Sequence, residues 1–174
     1  NILKNIILTK SSPSIGQSWI RYQNGTKKIE KISITPGPKS LPYQAYYNMP
    51  YLSCDVSELV AKDCTTLSQF SLADKGNLTG KLVLTNVTSW SYQTFYNSSI
   101  KSSIKDIEIH SYNMTTMGEL RGLSQATNIV IHMPSLTTVP SAYYHDLTSL
   151  QHLTINSTNA FTDAGGNLNN SLAT

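Results

Sequence analysis

The stretch from Ile129 to Ile155 reads IVIHMPSLTTVPSAYYHDLTSLQHLTI. It begins and ends on one figure: two aliphatic residues with a single residue between them, Ile129-Val130-Ile131 and Leu153-Thr154-Ile155. Alternation at a period of two is a short strand with one face turned inward. Further apolar positions follow the first pair at Leu136 and Val139, and Leu150 precedes the second by three residues. Pro140 breaks the chain directly after Val139. A strand, a bend and a return to the next strand are therefore written into one short segment.

The same figure runs through the whole chain. It occurs as Ile6-Ile7-Leu8, Ile32-Ser33-Ile34, Leu82-Val83-Leu84 and Ile107-Glu108-Ile109, besides the two pairs above. The last members are separated by 26, 50, 25, 22 and 24 residues. The 50 is two periods, with one repeat blurred between about Tyr51 and Gly80. Leu3, Ile29, Ile104 and Leu150 stand three residues before their pairs, and Ala126 takes that place in one unit. Met114, Leu136 and Ala160 stand five residues after theirs, with Met117 and Val139 three further on. A unit this short cannot bury its own apolar face, so stacked units must share one core.

This is the grammar of a leucine-rich repeat. The expected fold is an α/β repeat solenoid, a horseshoe segment with a parallel β-sheet on its concave face and a mostly irregular convex side. The expected solenoid covers residues 1–160 in about six to seven irregular repeats, interrupted near 51–80, where Leu67, Phe70 and Leu72 are candidates for an extra strand. Residues 161–174 hold Gly165-Gly166 and little apolar matter, and read as a loop or frayed tail.

The phrase L-T-T-V-P-x-x-x-Y-x-x-L-T-S-L-Q-H-L-T-I resembles the extracellular repeats of Toll and Toll-like receptors, especially insect Toll-type ectodomains. The likeness covers Asn77 to Ser157 fairly and Ile29 to Pro42 loosely. It implies the N-terminal part of a receptor ectodomain in innate-immune or developmental recognition. The ligand would be a cytokine-like protein or a microbial product, and activation would proceed through a receptor dimer. The sequence also departs from that pattern. The asparagine that bonds backbone between turns is missing: Ser11, Gly37, Val87, Tyr112, Pro134 and Thr158 stand there. Those backbone groups need other partners, so an uneven solenoid is expected. The cysteine-rich caps of such receptors are absent. A secreted or surface-anchored adhesion protein on the same scaffold is the alternative, and a cytosolic repeat protein the third reading.

Composition narrows the classes. Charged residues make up 13% of the 174, about half the usual share. Ser, Thr and Asn fill roughly a third. That excludes a coiled coil, and the recurrent branched apolar residues exclude a charge-driven disordered chain. The net charge of +3 is scattered, so no nucleic-acid footprint is expected. No apolar run is long enough to span a membrane, so a membrane link would run through a segment absent from this chain. Residues 1–9 lack a signal-peptide pattern and read as the inside of a fold, so a piece of something larger is expected.

Seven Asn-X-Ser/Thr sequons begin at Asn24, Asn77, Asn86, Asn97, Asn113, Asn156 and Asn169. Chance in this composition gives about four. The excess points to a glycosylated, extracellular chain. Cys54 and Cys64 are expected to form a disulfide closing a short loop, worth about 2–3 kcal/mol; two buried free thiols are the other possibility.

Little points to catalysis. There is no G-x-S-x-G elbow, no H-E-x-x-H pair and no phosphate-binding glycine loop. No catalytic residue, cofactor or metal is expected. The candidate ligand-binding residues are Glu108, His110, His132 and His152. His110 and His132 each follow the second member of a strand pair, so stacking sets them side by side. Solvated histidines and a pH-responsive patch are both open readings. Tyr43, Tyr46, Tyr47 and Tyr51 form a second candidate, either packing within a repeat or an interaction patch.

Overall fold

A computed structural model of the chain describes residues 4–9, 14–19, 29–47, 49, 51–72, 77–95, 104–139 and 147–163. The strands, in chain order, are β1 (Asn5–Leu8), β2 (Lys31–Ile34), β3 (Ser40–Leu41), β4 (Ser53–Asp55), β5 (Thr66–Leu67), β6 (Asn77–Thr79) and β7 (Lys81–Leu84). They continue as β8 (Ser89–Trp90), β9 (Asp106–His110), β10 (Asn128–His132), β11 (Thr138–Val139), β12 (His152–Asn156) and β13 (Thr162–Asp163). Every pairing among them is parallel. The chain is a parallel β-solenoid, and its long strands are the aliphatic pairs read from the sequence.

The longest sheet has the order β12-β10-β9-β7. Ile32, Ile34, Leu82, Leu84, Ile107, Ile109, Ile129 and Ile131 point inward and are at most 1% exposed. Burying each contributes about 1.5–3 kcal/mol before entropy is counted. At the two described ends the same positions are less covered. Ile6, Leu8, Leu153 and Ile155 are only partly buried, as terminal turns of a stack must be.

A second parallel ladder runs along the returning segments as β3-β5-β8, then as a bridge from Thr116 to Thr138, then as β11-β13. It explains one correction to the expected α/β class. Among the described residues the only helical element is a 3-10 turn at Val56–Glu58. The return segments satisfy their amides between turns, so no crossover helix is needed. A second correction concerns the tail. Thr162 and Asp163 pair with Thr138 and Val139, so the solenoid runs past residue 160. Residues 164–174 lie outside the described set.

In place of an asparagine column, threonines at several corners of the turn make bonds between turns; of the positions that lack asparagine, Thr158 alone is one of them. Thr65, Thr85, Thr88, Thr127, Thr137 and Thr158 each donate both the backbone N–H and the hydroxyl to one carbonyl a turn earlier. The acceptors are the carbonyls of Lys39, Lys62, Thr65, Lys105, Thr115 and Pro134. A carbonyl has two lone pairs and can take both donors; the carbonyls of Thr65, Lys105 and Thr115 also accept the N–H of the residue after the threonine. The Ser/Thr-rich composition thus has a structural use.

The blurred repeat is a real turn with a different local form. β4 pairs with β6, and the 3-10 turn lies between β2 and β7, where a strand would otherwise run. The Asp55 carboxylate caps this turn, accepting from the Ser57 N–H at 2.9 Å and the Ser57 hydroxyl at 2.6 Å. Gly80, at φ +85°, bends the chain from β6 into β7; the Asp55 carboxylate occupies the space a Cβ would need. Of the expected extra strand, Leu67 belongs to β5, while Phe70 and Leu72 lie in a turn.

The expected disulfide is not formed. Cys54 and Cys64 are separate buried thiols. Cys54 is the inward centre of β4, and Cys64 Sγ donates to the Thr66 carbonyl at 3.4 Å. Burial pushes the Cys64 thiol up to about 11. Each sulfur acts as a small apolar filler.

A polar column marks another corner. Ser18, Gln44, Phe70 and Gln93 all have positive φ, between 52° and 57°. The N–H of Ser18, Gln44 and Phe70 reaches the carbonyl of Tyr43, Gln69 and Gln93 respectively. Gln69 Nε2 donates to Gln93 Oε1 at 2.7 Å, and the Gln93 N–H donates to the buried Glu119 carboxylate at 2.7 Å.

Candidate functional site

Parallel register sorts the outward residues of the longest sheet into rows. One row is Lys81, Asp106, Asn128 and His152; the next is Val83, Glu108, Val130 and Thr154. The third is His110, His132 and Asn156. Their neighbours along each strand are the inward aliphatic residues, so the core fixes which way every member of a row points.

The third row closes into a cluster. The His110 and His132 rings lie 4.3 Å apart between centroids and are tilted by 32°. His110 Nε2 is 2.8 Å from Glu108 Oε1. Lys81 Nζ donates to the other carboxylate oxygen, Oε2, at 2.7 Å. Asn156 Nδ2 is 2.9 Å from His132 Nδ1. Lys81 and His110 together hold the Glu108 carboxyl down at about 2, Lys81 being the larger cause. All three ligand-type side chains, Glu108, His110 and His132, are half-buried.

His110 and His132 line a cavity of about 430 Å³, whose rim includes Tyr112, Pro134, Asn156 and Thr158. Tyr112 is 56% exposed and its ring lies 6.4 Å from that of His110. A second cavity of about 400 Å³ opens beside the 3-10 turn, near Gly37, Ser57, Lys62 and Lys81.

Of the residues singled out in the sequence, Glu108, His110 and His132 come together. His152 does not join them. It is exposed and outward-facing on β12, but its row partner is Asn128. The third-row place on that strand belongs to Asn156, a sequon one residue past the last core position of its strand and so at the edge of the sheet face. Lys81 and Tyr112 were not marked as site residues; the register of β7 and the step past β9 would have found them.

Asn77, Asn86, Asn113 and Asn156 are exposed. Asn24, Asn97 and Asn169 lie outside the described residues. The tyrosine group divides. Tyr46 is fully buried, donates its hydroxyl to the Leu59 carbonyl at 2.7 Å and meets Trp19 edge-on. Tyr43 and Tyr51 are exposed, and Tyr43 and Tyr47 pack on Phe70.

No helix among the described residues is long and apolar enough to cross a membrane. No protein-family model, curated protein or solved structure matches the chain.

Proposed function

We propose that the chain is an extracellular recognition module of the leucine-rich-repeat class. It binds a macromolecular ligand through the outer face of its longest sheet and does no chemistry on it. One observation carries this reading: the three register-matched rows give that face a fixed pattern of Lys, Glu, His, Asn and Thr side chains. Tyr112, 56% exposed, stands at the border. Rigid polar groups beside an aromatic ring suit a protein interface.

The likeness of Ile129–Ile155 to Toll-type receptor repeats supports a receptor ectodomain, with a protein or microbial ligand and a receptor dimer. A surface adhesion module uses the same face and is the second reading. The exposed sequons at Asn77, Asn86, Asn113 and Asn156 support secretion. A glycan on Asn156 would stand beside His132 and narrow the accessible face. A partner would then approach from the β7 side.

Two measurements test this. The first is the intact mass of the chain secreted from cultured animal cells, before and after N-glycan removal. Loss of several glycan masses is expected; an unchanged mass sinks the extracellular reading. The second is an array of extracellular proteins probed with the chain and with Lys81→Ala/Tyr112→Ala. Binders lost in the double variant support the sheet face. Binders retained in full place recognition elsewhere.

A further inference from the structure

We propose that Glu108, His110 and His132 form a binding site for a divalent transition-metal ion, of the Zn²⁺, Ni²⁺ or Cu²⁺ class. The inference goes beyond the recognition reading and stands whether or not a macromolecule binds this face. One ligand atom from each of the three residues lies within 4.8 Å of the other two. Zinc bonds to imidazole nitrogen and carboxylate oxygen run about 2.0–2.2 Å, so donors around one ion stand roughly 3–3.5 Å apart. The 2.8 Å between His110 Nε2 and Glu108 Oε1 is already near that bite.

The scaffold favours the arrangement. Glu108 and His110 are two apart on β9, so both project from one face of the sheet. His132 is the register partner of His110 on β10. The inward residues Ile107, Ile109 and Ile131 are at most 1% exposed and hold both strands in place. A ligand set on two paired strands costs little ordering entropy when the ion arrives.

The donors also choose the metal. Two imidazoles and one carboxylate suit Zn²⁺, Ni²⁺ and Cu²⁺. Ca²⁺ and Mg²⁺ ask for several oxygens, and the cluster offers a single carboxylate. Lys81 occupies Oε2 of Glu108, which leaves Oε1 as the ligand oxygen and makes the carboxylate monodentate. Asn156 Nδ2 lies at Nδ1 of His132. Metal at Nε2 requires that amide to rotate, so that its oxygen accepts from Nδ1–H in the usual outer-shell arrangement. Two of the three donors, His110 and His132, line a cavity of about 430 Å³; three protein donors leave a coordination position open to water or to a side chain of a partner.

The test is isothermal titration of the full chain with ZnCl₂ and with NiCl₂, with CaCl₂ as the control ion. One ion per chain is expected for zinc and nickel, and none for calcium. His110→Ala and His132→Ala should each weaken binding at least tenfold, and Glu108→Gln should weaken it clearly. His152→Ala should leave it unchanged, because that histidine lies in another row. Circular dichroism of each variant shows that the fold is retained. If an alanine variant fails to fold, the visible absorption of Co²⁺ bound to the wild-type chain reads the same site. Low-coordinate bands with nitrogen ligation are expected, lost on adding Zn²⁺. Zinc binding that survives His132→Ala, that vanishes with His152→Ala, or that is absent at millimolar ion overturns the proposal.

Discussion

Between Asp106 and Asn156, strands β9, β10 and β12 pair over five residues each in unbroken register. Between Ser53 and Thr79 the strands are three residues or shorter, and a 3-10 turn stands in the long sheet's place. Yet Leu52, Val56, Leu59, Cys64 and Leu67 are as deeply buried as any aliphatic residue of the regular part. Strand pattern and turn integrity are therefore separable. A turn needs its inward apolar residues and its inter-turn bonds. How it crosses the face is negotiable.

The strongest test of that contrast is paired truncation. Ile131→Ala in the regular part and Leu59→Ala in the irregular turn should each cost about 2–5 kcal/mol in chemical denaturation. A Leu59→Ala cost under about 1 kcal/mol would make the irregular turn an ornament and not part of the core. Tyr46→Phe comes next. It leaves the Leu59 carbonyl without its buried donor, so a loss of about 1–3 kcal/mol is expected. An unchanged midpoint would mean that water replaces the hydroxyl.

The alkaline side sharpens the comparison, because both thiols belong to the irregular turn. Cys64 is raised from 9.0 to about 11, so folding favours the neutral thiol. That stabilisation is intact below pH 9.0 and is lost as pH rises through about 11. Denaturation midpoints between pH 8 and 11 should fall in the native chain and fall less in Cys64→Ala. Counting thiols in denaturant without reductant should give both as free. A count of none would restore the bridge and remove this pH dependence. The smallest effect is expected for the threonine column. Thr65→Val and Thr137→Val keep the side-chain shape and the N–H bond but lose one hydroxyl donor, at about 0.5–1 kcal/mol each. Equal losses would show that one clamp serves both regions.

Much of this architecture was legible beforehand because aliphatic pairs leave a strong periodic trace. The blurred turn hid because its chain crosses the face as a 3-10 turn, Val56, Ser57 and Glu58 capped by Asp55, where polar capping replaces alternation. The absence of α-helix among the described residues was not readable. Return segments such as Leu67–Leu72 carry no alternation to mark a ladder two residues wide. The corner column leaves a trace in the sequence: Gln44, Gln69, Gln93 and Glu119 recur at 25, 24 and 26 residues. Within the site, Glu108, His110 and His132 followed from strand spacing alone. Spacing also puts Asn156 at the edge of that face, but its meeting with His132 in place of His152 is decided by register and not by residue type.

The threonine clamps also bear on how the molecule carries load. Each of these bonds points from one turn to the one before it, along the axis of the stack. Tension applied at the two ends would pull on these bonds one interface after another, so turns should peel off singly. Each release would free about 24 residues of chain, or roughly 80 Å at full extension. The protein would then yield in even steps, as a tether that pays out line, and the fold would set the length of each step.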